Sequence, residues 1–152
     1  MKEVKEIAKS NNFTAVNIGD IDKISEYSII HPKLQQAIQG KVFVKDATNA
    51  GGMEISFNSL PPKTELPYFH RHFQNEETYI FLKGSGDFQV DEDCFPIQEG
   101  CVVRVAPTGI RCFRNTSDEP MLYIVIQSKE NSLAQYSHGD GERVAYDKKW
   151  KE

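Results

Sequence analysis

The chain has 152 residues, 39% of them hydrophobic and 26% charged, which is enough for one domain with a substantial hydrophobic core. The formal net charge of −4, without a long basic run, argues against a nucleic-acid partner, and no apolar stretch is long enough to span a membrane. Because the chain starts without a secretion signal and has an odd number of cysteines, three, we expect a cytoplasmic protein rather than a secreted disulfide framework.

Residues 1–40 are predicted to form an N-terminal extension that packs on the rest of the domain. The apolar side chains of residues 4–8 have helical spacing, which suits a short amphipathic turn or a frayed end of the chain. Residues 13–18 favour a strand. Residues 32–40 favour a short helix, with a proline at its start and a glycine at its end.

Residues 41–127 have the texture of a β domain. Short runs of β-branched and aromatic residues recur about every ten residues, with Gly or Pro between them. The predicted strands are residues 42–44, 53–58, 68–72, 78–82, 88–90, 94–97, 101–105, 110–114 and 121–127. This pattern is typical of an all-β sandwich or barrel. Residues 128–152 are more polar and are predicted to form a C-terminal tail.

Two of the four histidines, His70 and His72, lie one residue apart on a segment predicted to be extended. Side chains at positions i and i+2 of such a segment point to the same face. Glu77 follows five residues later and begins the next predicted strand. Two imidazoles and a carboxylate form a facial ligand set that suits Fe(II), or Zn²⁺ with one bound water. The alternative is that all three are polar strand residues that bind no metal.

The wider spacing around these residues resembles the cupin superfamily. Residues 70–84 follow the pattern His-x-His-x4-Glu-x6-Gly, which is similar to the first cupin motif. Residues 100–115 begin with Gly, contain Pro-x-Gly and end with Asn, which is similar to the second motif. The resemblance covers residues 53–127, about half of the chain.

This resemblance implies an all-β fold, in which residues 41–127 form a small jelly-roll barrel, also called a double-stranded β-helix, with short extensions at both ends. It implies that His70, His72 and Glu77 bind a divalent metal ion, which could be Fe, Zn, Mn or Ni. It also implies a homodimer. Cupins include dioxygenases, isomerases, decarboxylases, storage proteins and sensors, so the resemblance does not identify the reaction.

Arg111 occupies the position at which the second motif usually has a fourth metal-binding histidine. Arginine stays protonated and cannot donate a lone pair to a metal. Three consequences are open at this point. Arg111 binds an anionic group of the substrate beside the metal, or it pairs with Glu77 and replaces the metal, or Cys112 completes a closed zinc site. Strand alternation argues against the third, because it turns Cys112 away from the face of Arg111.

Other side chains near these motifs have two interpretations each. Tyr79 shares the strand face of Glu77 and is either a core aromatic residue or a catalytic proton donor. Glu76 faces the other way and would be the ligand only if the preceding loop were one residue shorter. Either face of residues 54–58 would line the pocket, depending on the strand register.

Two classes of function follow. The first is a metal-dependent enzyme, such as a dioxygenase or an isomerase, that acts on a small anionic or sugar-like metabolite. In it Arg111 binds the substrate anion and Tyr79 donates a proton. The second is a non-catalytic cupin, with or without a metal, that binds or senses a small molecule.

Overall fold

The computed structural model describes residues 2–151. Its strands are β1 (Lys5–Lys9), β2 (Thr14–Asn17), β3 (Ser28–Ile30), β4 (Ala37–Gln39), β5 (Lys41–Phe43), β6 (Glu54–Leu60), β7 (Asn75–Lys83), β8 (Ser85–Val90), β9 (Asp93–Gln98), β10 (Val102–Val105), β11 (Arg111–Asn115) and β12 (Met121–Lys129). A short helix, α1 (Lys45–Thr48), follows β5, and 3-10 helices span Ile21–Glu26 and His138–Asp140. Among these residues no helix is both long and apolar enough to cross a lipid bilayer.

Two antiparallel sheets enclose the core of the barrel. The larger sheet has the strand order β10-β7-β12-β6-β5, and the smaller sheet has the order β11-β8-β9. Most neighbours in the larger sheet are distant in sequence, as in a jelly roll. The predicted all-β jelly-roll fold is therefore confirmed. Within residues 42–127, every predicted strand overlaps an observed strand except residues 68–72, which form only a single bridge to β11.

Aromatic side chains from both sheets fill the interior. Phe88 and Phe113 of the smaller sheet stack with ring centroids 5.3 Å apart. Phe81 and Tyr123 of the larger sheet meet Phe113 edge-on, with centroids 5.6 and 5.0 Å away. In β7 every second side chain is buried, from Glu77 onward. The same alternation that places aromatic rings in the core therefore places one carboxylate at its end.

The N-terminal extension differs from its prediction in two places. Residues 4–8 were expected to form a helical turn, but they lie in a hairpin in which β1 pairs with β2. Residues 32–40 were expected to form a helix, but β4 pairs with β3 across a turn that Gln35 closes with a φ of 53°. In both places pairing with a neighbouring strand determines the structure, and helical spacing over so few residues is too weak a signal to compete.

The extension packs on the outer face of the larger sheet. Ile24 and Tyr27 are buried there against Val42 of β5 and Phe57 of β6. Because Val42 and Phe57 point outward to the extension, their neighbours in both strands point into the barrel. The packing of the extension against Val42 and Phe57 therefore determines which face of β6 lines the interior of the barrel.

The chain beyond β12 follows a different pattern. Residues 130–151 contain the second 3-10 helix and no strand. The aromatic side chains of Tyr136, Tyr146 and Trp150 are 81%, 86% and 76% exposed, so this segment adds little to the core.

Candidate metal centre

His70, His72 and Glu77 converge at one end of the aromatic core. The Nε2 atom of each histidine lies 3.1 Å from Oε1 of Glu77. All three candidate ligand atoms lie within 4.8 Å of one another. Two ligands at right angles around an ion, each about 2.1 Å from it, are about 3 Å apart. The two histidine–carboxylate distances therefore match ligands at right angles around one ion, as a facial set requires.

Backbone hydrogen bonds hold the two histidines in place although their segment is not a continuous strand. The His70 N–H donates to the Arg111 carbonyl over 3.2 Å, and the Arg111 N–H donates back over 3.0 Å. The His72 N–H donates to the Pro107 carbonyl over 2.9 Å. Glu77 lies on a different element, β7, which belongs to the larger sheet. The cluster thus depends on the packing of the two sheets.

The carboxylate of Glu77 is buried and ionised. Burial by itself would raise its pKa, but hydrogen bonds from His70 and Tyr79 and the electrostatic influence of both histidines lower the pKa to about 2. The Tyr79 hydroxyl donates to Oε1 over 2.8 Å. Glu77 is therefore an anionic candidate ligand at neutral pH.

The residues present fit a divalent ion, and His72 provides the clearest sign. Its Nε2 atom is buried and forms no hydrogen bond with any group that the structure describes, in spite of its proximity to Glu77. A buried polar nitrogen without a partner is costly. Coordination by a metal would satisfy this nitrogen and would draw His70 and Glu77 onto the same ion.

Arg111 lies behind the cluster. Its side chain is 1% exposed, and its Nη1 donates to the carbonyls of Gly109 and Pro107 over 2.7 and 3.3 Å. Its Nη2 lies 3.2 Å from Oε1 of Glu77. This is the contact that the second of the three alternatives predicted, and it exists together with the histidine–carboxylate cluster on which the first depends.

Two alternative ligands are excluded by the directions of their side chains. The Sγ atom of Cys112 lies 3.5 Å from the Leu66 carbonyl and is not part of the cluster. The closed zinc site with Cys112 is therefore not formed, as strand alternation indicated. Glu76 points away from the histidines and accepts a hydrogen bond from Nε of Arg104 over 2.6 Å.

A cavity of about 510 Å³ opens onto the candidate ligands. Tyr79 contributes to its lining, whereas Arg111 does not. Burial raises the pKa of the Tyr79 hydroxyl above its usual range, and Glu77 raises it further. The hydroxyl group therefore keeps its proton and remains a hydrogen-bond donor in the cavity.

Lys41, Ser56 and Asn58 also line this cavity, and the sequence did not single out Lys41. The Lys41 ammonium group donates to Oδ1 of Asn58 over 2.8 Å and to Oγ of Ser56 over 3.3 Å. Burial lowers the pKa of Lys41 to about 8, against the opposing influence of Glu77 and Glu54. The only signal for Lys41 in the sequence was its place next to Val42, because neighbouring side chains of a strand point to opposite faces. This signal indicates that Lys41 points into the barrel only once Val42 is known to face the extension.

Comparison with known proteins yields a family and several similar folds. The family model described as a cupin domain matches residues 57–127. The crystal structure of a cupin protein from Bacteroides fragilis has 36% sequence identity and a TM-score of 0.66, and the match covers 69% of this chain and 89% of that protein. No curated protein matches the chain.

Two more distant structures share the fold. A predicted oxalate decarboxylase from Thermotoga maritima has 19% identity and a TM-score of 0.56, over 68% of this chain and 90% of that protein. A protein from Thermus thermophilus has 19% identity and a TM-score of 0.55, over 72% of this chain and 94% of that protein. At this identity the likeness concerns the fold alone.

Proposed function

This chain belongs to the cupin superfamily, and we propose that it is a metal-dependent enzyme acting on a small anionic or sugar-like metabolite. His70, His72 and Glu77 would hold a divalent ion such as Fe, Zn, Mn or Ni. The observation that carries the proposal is the buried, unpaired Nε2 of His72 beside an ionised carboxylate, at the edge of a cavity large enough for a metabolite.

The residues around the ligands have distinct roles in this proposal. A divalent ion held by these residues would supply Lewis-acid chemistry toward an oxygen of the substrate. Tyr79 lies in the cavity lining, so we propose it as the proton donor. Its raised pKa makes the hydroxyl group a weak acid, so the substrate atom that takes the proton must be strongly basic. Arg111 was expected to bind the substrate anion. Because its guanidinium group lies outside the lining and beside Glu77, we propose instead that it holds that carboxylate in position.

The reaction belongs to one of two classes in this proposal, a dioxygenase or an isomerase. Oxygen uptake by the Fe(II)-loaded protein in the presence of small carboxylic acids would support the first class. Conversion of a sugar-like substrate without oxygen uptake would support the second.

A second candidate function is non-catalytic binding or sensing without a metal. It is favoured by the distance of 3.2 Å between Arg111 and Glu77, because that contact compensates the buried carboxylate without an ion. A thermal shift caused by a small molecule, without turnover and without bound metal, would support this function over the enzyme.

Metal content tests the main proposal directly. Protein purified without chelators and without nickel resin should contain about one transition-metal ion per chain, and less than about a tenth of an equivalent would contradict the proposal. His72→Ala should lose the metal. The matched control is His31→Ala, because His31 also lines the cavity but its Nδ1 accepts hydrogen bonds from the Lys33 and Leu34 N–H groups.

We also propose a cytoplasmic homodimer. The proposal is supported by the family and, for the compartment, by three cysteines that all remain free. Sedimentation analysis should show twice the chain mass of 17.3 kDa.

A further inference from the structure

Lys41 places a positive charge in the cavity that holds the candidate metal ligands. Its ammonium group has three N–H donors, and two of them are used by Asn58 and Ser56. Within residues 2–151, Lys41 forms no ion pair with a carboxylate. One donor of a largely buried cation is therefore left for a group that the described residues do not supply.

The hydroxyl group of Ser56 is a second unused hydrogen-bond donor next to the remaining N–H of Lys41. Its side chain is 2% exposed, and its Oγ accepts hydrogen bonds from Lys41 over 3.3 Å and from Nδ2 of Asn58 over 3.0 Å. With both lone pairs used, the hydroxyl O–H can only donate. None of the described residues accepts a hydrogen bond from it.

Asn58 fixes the orientation of this pair. It is 2% exposed, and its Nδ2 donates to the backbone carbonyl and Oγ of Ser56 and, over 3.4 Å, to the carbonyl of Tyr123. Its Oδ1 therefore faces the Lys41 ammonium group. The site is thus pre-arranged, with two unused donors held in place by a buried amide.

We propose that Lys41 and Ser56 form an anion subsite that binds the carboxylate of a substrate whose body packs against the apolar part of the same cavity. This inference deepens the proposed function and rests on it, because it assumes that the proposed metal centre faces the rest of the substrate. It assigns the substrate class as a small monocarboxylate with an apolar body.

The geometry favours a carboxylate over a phosphate monoester. One cation and one hydroxyl group supply two donors and one positive charge, which match a carboxylate. A phosphate monoester carries about −1.5 to −2 charge and three acceptor oxygens, and such groups usually meet several cations or backbone N–H groups. Burial is the main cause of the lowered pKa of Lys41, about 8, and Glu77 and Glu54, neither of which forms an ion pair with it, offset that effect only in part.

The rest of the wall supports an apolar body for the ligand. The lining of the cavity as a whole is largely hydrophobic, with Phe43, Leu60 and Val125 among its side chains. The Phe43 ring also lies 4.8 Å from Lys41 Nζ, which keeps the ammonium group next to an apolar surface.

Isothermal titration with three matched probes tests the subsite. Phenylacetate carries the carboxylate, phenylacetamide is its neutral analogue, and phenyl phosphate is the phosphate analogue. Wild-type protein should bind phenylacetate about 10- to 100-fold more tightly than phenylacetamide, the range expected for a hydrogen bond to a charged group. Lys41→Met should abolish this preference, and Ser56→Ala should reduce it. Lys9→Met, on the exposed strand β1, is the control and should bind like wild type.

The possible outcomes separate the subsite from the metal centre. Equal affinity of wild type and Lys41→Met for phenylacetate would overturn the subsite, as would a wild type without the preference or one that prefers phenyl phosphate. Metal content is measured on the same samples, because a chain that lacks metal but keeps the preference would contradict only the proposed function. Should Lys41→Met fail to fold, an unchanged preference in Ser56→Ala overturns the proposal by itself.

Discussion

Oε1 of Glu77 lies within 3.2 Å of polar atoms from four residues. The four are His70, His72, Tyr79 and Arg111. One carboxylate oxygen has too few lone pairs for four partners, so some of these contacts must give way when an ion is coordinated. Arg111 lies outside the cavity lining and the two histidines would bind the ion, which leaves Tyr79 as the remaining partner in the lining. Metal binding would therefore free its hydroxyl group for a ligand.

The buried carboxylate should make stability depend on pH. Because the pKa of Glu77 is lowered to about 2 in the folded protein, its contribution is present above the unfolded value of 4.5 and is lost as the pH falls toward 2. The contribution should be about 3 kcal/mol. Urea unfolding of chelated protein at about pH 6 and about pH 2 should show this loss in wild type and not in Glu77→Gln. The exposed control Glu99→Gln should behave like wild type, and an equal pH dependence in all three would contradict the prediction.

Replacement of Arg111 tests its effect on the metal. Arg111→His removes a cation that lies beside Glu77 and adds a ligand where the second cupin motif usually has one. Competition with a chelator should show a metal affinity at least about tenfold above wild type. Arg111→Met removes the same charge and the same hydrogen bonds to Gly109 and Pro107, but it adds no ligand. Equal affinities of the two variants would show that the histidine does not reach the ion.

At the level of the strands, β8 and β11 approach each other closely at Gly86. A Cβ atom there would lie 1.8 Å from the Arg114 carbonyl oxygen, in backbone that cannot move aside. Gly86→Ala should therefore destabilise the protein by more than about 3 kcal/mol in urea unfolding. Gly51→Ala is the control, because nothing lies within 4 Å of its added Cβ. A change at Gly86 as small as at Gly51 would mean that the two strands can separate at little cost.

The strands of the barrel could be predicted from the sequence more fully than those of the extension. Strands β6 to β12 are short apolar runs, and most of the turns between them contain Gly or Pro, so most of the barrel could be derived from local patterns. The hairpins of the extension could not, because strands of three to five residues depend on their partners for their structure.

The candidate site, like the fold, could be predicted from the sequence only in part. His70, His72 and Glu77 follow one another closely in sequence, so their spacing and the family motif pointed to them. Lys41 is distant in sequence, and its inward direction depends on Val42 packing against the extension. Local patterns carry no information about that contact. The face of residues 54–58 that lines the cavity was open for the same reason.

For the whole molecule, the attachment of the extension is the main packing outside the barrel core. Ile24 is 2% exposed at the centre of this contact. Ile24→Ala should cost about 2–4 kcal/mol in thermal or urea unfolding and speed proteolytic cleavage within residues 2–40. Ile7→Ala, at a position 65% exposed, should change stability by less than about 0.5 kcal/mol. Similar effects of the two variants would argue that the extension is not anchored by Ile24.

The cavity has two walls of different origin. The candidate metal ligands belong to the barrel, whereas Ile29, His31, Pro32 and Ile38 of the extension complete the wall elsewhere. Substitutions in residues 29–38 can therefore reshape the space for a ligand without moving the metal centre. The room for the body of a ligand can in this way change through the extension, while the candidate metal ligands and the proposed subsite at Lys41, which belong to the barrel, keep their places.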